Sequence, residues 1–67
     1  MRFIVTKQPP ILDSKEVVQE IEADSVSLDS TWAIFYRLEQ IEGREIPVLH
    51  VAIPSVEIIS IRREQNA

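Results

Sequence analysis

The longest run of strand-forming residues, positions 44–62 (REIPVLHVAIPSVEIISIR), carries apolar side chains on both sides of an extended chain. In a strand, Ile46, Val48, His50 and Ala52 share one side, and Pro47, Leu49, Val51 and Ile53 share the other. Pro54 removes a backbone donor and biases Ile53 towards an extended conformation. The pattern therefore predicts a tight turn or a single 3₁₀ turn over 54–57, with Val56, Ile58, Ile59 and Ile61 resuming the ladder. Upstream, residues 2–6 alternate with Phe3 and Val5 on one side and Ile4 on the other. Residues 31–40 place Trp32, Ile34, Tyr36 and Leu38 on one face of a central strand, opposite Ala33 and Phe35. Size favours Trp32 and Tyr36 as core residues, with Phe35 as the exposed exception. Glu42 and Gly43 form the turn into the long run.

Residues 13–28 admit two readings. Asp13 and Glu16 match a capping box, and Val17, Val18 and Ile21 would form one helical face. That stripe ends at Ile21, whereas alternation restarts at Val26 and Leu28, which favours two extended pieces. The phase shift between Ala23 and Val26 requires a bulge or bend at Asp24 or Ser25. Residues 7–14 read as a loop stiffened by Pro9 and Pro10, with Ile11 and Leu12 folding back over the core or, as the alternative, forming a docking spot for a partner. Asp29 and Ser30 carry turn chemistry, and residues 62–67 are polar and expected to fray.

Composition supports a mainly β domain: Ile and Val number 17, against four Leu and four Ala. The expected fold is one domain over residues 1–67, either a five-stranded antiparallel small barrel or a strongly bent sheet, with the 3₁₀ turn near Pro54. Strand, Ile-Pro-Ser turn and strand resemble the last two strands of SH3-like and Sm-like small barrels. One glycine is sparse for a tightly coiled barrel, which keeps an open sheet paired with a second copy in view. A chain of this length buries only about 60% of its unfolded surface. With no cysteine to form a disulfide, oligomerisation is the remaining common staple. No apolar run suits a leader or a membrane span, so a soluble, cytoplasmic protein is expected.

No catalytic set emerges. His50 is the only histidine, it sits between Leu49 and Val51, and no nucleophile elbow accompanies it. A metal site would have to rely on carboxylates, and the stretch from Asp24 to Asp29 lacks calcium-loop spacing. With no Gly-rich phosphate loop either, a non-enzymatic protein without cofactor is expected. Charge is unevenly placed: residues 13–29 hold six acids and one base, while the rest of the chain is close to balance. Glu16, Glu20, Glu22, Asp24 and Asp29 thus form a candidate acidic docking strip for a basic protein partner. The competing reading, and the commoner one for such a run, is a solvated strand face that discourages edge pairing. The net charge of −4 argues against nucleic-acid binding, although Trp32, Phe35 and Tyr36 with Arg37 would be the stacking platform if it occurred.

The strongest expectation concerns surplus apolar surface. The two strands around 31–40 and 45–53 carry large apolar side chains on both faces, yet a small barrel has one inside. Phe35 with either the row Leu49, Val51 and Ile53 or the row Ile46 and Val48 would expose more than a monomer normally does; the first set is the candidate self-association surface, and a homo-oligomer, preferentially a dimer, is expected. The run VxxIxADSV, followed by TWAIFYR and IPSVEIISI, resembles small uncharacterised β proteins of actinobacteria and their phages. That resemblance implies a bacterial or phage setting and no activity. The leading expectation is a protein-protein interaction module. The alternatives are a phage-type inhibitor or DNA mimic acting on a host protein, and a nucleic-acid-binding small barrel.

Overall fold

The computed structural model describes residues 1–9, 11 and 15–64, and it builds them into two three-stranded antiparallel sheets. The strands are β1 (Arg2–Lys7), β2 (Val17–Glu22), β3 (Ser25–Leu28), β4 (Trp32–Ile41), β5 (Arg44–Pro54) and β6 (Ile58–Glu64). The first sheet has the order β2-β1-β6 and the second β3-β4-β5, and neither closes into a barrel. Residues 17–22 and 25–28 are extended, as alternation predicted. The capping-box reading depends on Asp13, which lies outside the described residues together with Pro10, Leu12 and Ser14.

Two crossings join the sheets. Between β2 and β3 the Ala23 N–H donates to the Met1 carbonyl of the first sheet, and the Asp24 N–H donates to the Tyr36 carbonyl of the second. The expected bend therefore sits where adjacent residues bond into different sheets. It keeps Ile21 and Ala23 buried while restarting the inward phase at Val26. The second crossing is the 3₁₀ turn Ser55–Glu57, preceded by Pro54 as foreseen. The Ser55 N–H donates to the Thr31 carbonyl, and the Ser55 hydroxyl donates to the Asp29 carbonyl. The Gln8 N–H ties the end of β1 to the Glu57 carbonyl.

The core between the sheets is small: Phe3, Val5, Ile21 and Ala23 from one side, Ala33, Phe35 and Ile53 from the other. Phe3 and Phe35 meet edge to face, 5.4 Å apart and 68° between planes. The expectation for β4 is thereby reversed, because Phe35 is fully buried and Trp32 is 43% exposed. The small Ala33 beside Phe35 lets the two sheets approach, and a Trp32–Tyr36 row could not be housed in so thin an interior. Ile53, the other residue expected at the surface, is also core, and Val51 packs against it half-buried. Ile11, expected over the core, is 70% exposed.

The β4–β5 hairpin outruns this core. Between Arg37 and His50 only Val48 is half-buried; every other residue there is exposed. The molecule measures 49 × 30 × 14 Å with a radius of gyration of 13.6 Å, against about 11 Å for a compact chain of this length. At the tip, Glu42 and Gly43 both have positive φ, 51° and 78°. They form a two-residue turn whose twist matches the strands it joins.

Candidate interaction surface

Register determines which side chains share a face. In β4–β5 the paired residues include Trp32 with Pro54, Ala33 with Ile53, Ile34 with Ala52 and Phe35 with Val51. The next pair is Tyr36 with Leu49, so His50 is an unpaired extra residue and β5 carries a bulge there. The bulge reverses the alternation. Leu49 and Pro47 join Ala52 and Pro54 on the outer face, away from Val51 and Ile53, and the expected row Leu49, Val51, Ile53 is divided between surface and core. Nothing in the sequence marks this point, because bulges are most legible where glycine occupies them and here the residue is histidine.

The outer face that results is a continuous apolar strip of four cross-strand pairs: Trp32 with Pro54, Ile34 with Ala52, Tyr36 with Leu49 and Leu38 with Pro47. Leu49 is 56% and Leu38 47% exposed. Ser25 and Ser27, paired with Tyr36 and Ile34, flank the strip on β3, and Gln40 with Glu45 ends it. No acid or base lies within the four pairs.

The strip's two borders are open strand edges, and both are modified. The Leu38 N–H, beyond the reach of β3, donates to Asp24 Oδ2 at 2.7 Å. A side chain thus replaces the missing strand. Because Tyr36 and Leu38 direct their backbone groups towards β3 and Asp24, their partners Leu49 and Pro47 direct theirs to the open side of β5. By the same reasoning the Trp32 carbonyl, which accepts from the Asp29 N–H, places Pro54 nitrogen on that open side. The β5 edge therefore lacks donors at two of its outward positions, a common protection against edge pairing.

The outer face of the first sheet has the opposite character. Arg2 is paired with Glu64 and Glu20, Arg62 with Glu64, and the amino terminus with Glu22. The hydrogen bond and charge of Glu64 hold the Arg2 guanidinium above its ordinary pKa. Arg63 is on the inner side instead, over the Phe3 ring at 5.8 Å.

The acids expected to form one docking strip are dispersed. Glu16 precedes β2, Glu20 and Glu22 engage cations of the first sheet, and Asp24 caps Leu38. Asp29 accepts from the backbone N–H groups of Trp32 and Thr31, both at 2.7 Å. These two bonds, that of Trp32 first, lower its pKa. His50 is exposed on the edge strand, and among the described residues no group of three or more His, Asp or Glu is placed to hold a metal ion. No described helix is long and apolar enough to cross a membrane.

No family model, curated protein or solved structure matches this chain.

Proposed function

We propose that the protein is a non-enzymatic protein-protein interaction module whose working surface is the outer face of β4–β5. The observation that carries this reading is the strip of four apolar pairs, free of charge, on one side of a hairpin that extends beyond its own core. A contiguous exposed apolar patch on a small protein is commonly functional. The earlier candidate surface is thus redrawn: Leu49 remains in it, Trp32, Tyr36 and Leu38 enter it, and Phe35, Val51 and Ile53 leave it.

The fold supports reading the domain as an opened small barrel of the SH3-like kind. If β2 and β3 are two halves of one bent strand, the path β6-β1-β2/β3-β4-β5 has five strands, with a 3₁₀ turn before the last. A cytoplasmic setting accords with the absence of cysteine, and a bacterial or phage origin rests on the resemblance alone. The acidic reading, whether for a basic partner or as a DNA mimic, has less support because Glu20, Glu22, Asp24 and Asp29 are engaged within the chain.

The test is face-dependent capture. Wild-type protein and an L49E variant are used as baits against lysate, and retained proteins are compared. The reading expects binding that Leu49→Glu abolishes and that Val18→Glu, on the outer face of the first sheet, leaves intact. Equal retention by both variants would refute it.

A further inference from the structure

We infer that the occupant of the strip is a second copy of this chain, stacked face to face across the outer sides of the two β4–β5 hairpins. This deepens the interaction-surface reading and rests on it. Three observations select the second copy and this mode. First, edge-to-edge association is disfavoured, since the prolines at 47 and 54 turn their nitrogen atoms to the open side of β5 and Asp24 occupies the opposite border. For the β4–β5 ribbon, face-on contact is what remains.

Second, the strip suits its own mirror in chemistry and size. It offers no charge by which a differently charged partner would be selected, and a two-fold axis between the Ile34–Ala52 and Tyr36–Leu49 pairs sets Trp32 of one copy against Leu38 and Pro47 of the other. Led by Trp32, Leu38 and Leu49, which are 43%, 47% and 56% exposed, the strip is a small contact surface, as suits a weak, reversible association. Stacking also leaves the two ion-paired outer faces of the first sheets on opposite sides of the assembly, so copies of net charge −4 keep their acids apart.

Third, the hairpin needs support. Residues beyond the core on both strands are exposed on both faces, and an isolated two-stranded ribbon is only marginally stable in water. A second hairpin laid across it covers the outer face at Tyr36–Leu49 and Leu38–Pro47, where the core gives out.

The chain's only tryptophan, Trp32, lies at one end of the strip and reports on the contact directly. The experiment is sedimentation velocity together with tryptophan emission over a dilution series of wild-type protein, repeated with L38E, L49E and V18E. The wild type is expected to dimerise reversibly, with emission shifting to longer wavelength on dilution. L38E and L49E, folded by circular dichroism, should weaken the dimer by ~100-fold or more, since each places two like charges in a dry contact. V18E should match the wild type. A wild type that stays monomeric at every concentration, an emission that does not change on dilution, or a dimer untouched by both face variants overturns the proposal. If the wild type is monomeric yet captures another protein that L49E loses, the second copy is refuted and the surface reading survives. If neither association occurs, both fall.

Discussion

Replacing Phe35 tests which face of β4 is the interior. Phe35 is fully buried, its ring edge to face with Phe3 at 5.4 Å, and Val26 and Val51 lie opposite it in the sheet. Removing a buried phenylalanine down to Ala costs about 3–5 kcal/mol, of which the aromatic pair accounts for about 1 kcal/mol. A domain of this length has only about 3–10 kcal/mol of stability in total. Phe35→Ala should therefore leave the chain largely unfolded at 25 °C. Phe35→Leu, losing volume but keeping an apolar filling, should cost ~1–2 kcal/mol and lower the Tm by about 5–15 °C.

The contrast that decides the matter is Trp32→Ala. Trp32 is the larger residue, but it is 43% exposed on the outer face, so its removal should cost about 1 kcal/mol in the monomer. Urea denaturation followed by far-ultraviolet circular dichroism measures all three variants. The samples must be dilute enough to be monomeric, because a dimer through the strip would add its own concentration-dependent stability. If Trp32→Ala proved more damaging than Phe35→Ala under those conditions, the assignment of inner and outer faces would be wrong, and the strip with it.

Gly43→Ala is expected to cost about 1 kcal/mol although no atom lies within 4 Å of the added methyl, because φ of +78° is strained for any residue with a Cβ; thermal melts of the two proteins measure it. The pKa of Asp29 is lower in the folded chain than in the unfolded one, so its contribution is present above the ordinary carboxylate range and lost as pH falls through the folded value. D29N should remove that acid-side slope in a stability-against-pH series, and an unchanged slope would refute the role of the two N–H donors. Deleting His50 should be tolerated within about 1 kcal/mol, since Val51 would follow Leu49 directly and every existing β4–β5 pair could be kept. Denaturation midpoints compare it with deletion of Val48, which disrupts pairing at the tip and should be far more harmful.

Much of the fold was legible because alternation and proline carry direct geometric meaning. Residues 2–6, 31–40 and 44–62 read as strands and formed strands, the phase break after Ala23 became the crossing between sheets, and Pro54 led into the 3₁₀ turn. The choice of core was illegible for a definite reason. When both faces of a strand are apolar, period-two alternation separates the faces without ranking them, and ranking by bulk favoured Trp32 and Tyr36. The interior ranks by fit instead: Ala33 and Phe35 present one small and one large residue to Phe3, Val5 and Ile53. The acidic cluster was real in sequence, but the chain path divided it: Glu20 and Glu22 share the outer face of β2, whereas Asp24 and Asp29 flank the two ends of β3 in the other sheet.

The bulge at His50 links the two readings that the sequence could not join. From Ala33 to Ile41, β4 takes eight steps, while β5 takes nine from its matching ends, Arg44 to Ile53. The Glu42–Gly43 turn sets the register at the tip, and the core contact of Ala33 with Ile53 sets it at the base. One residue on β5 is therefore surplus, and it must be shed between the two anchors. Shedding it at His50 leaves apolar partners on the outer face from Trp32 to Leu38 and places the histidine at the edge. Had the surplus been absorbed between Ile46 and Pro47, the outer face would carry His50 opposite Tyr36 and Val48 opposite Leu38, with a titratable group in its centre. The position of one unpaired residue thus decides whether the hairpin presents a charge-free surface, which is the property that face-to-face association requires.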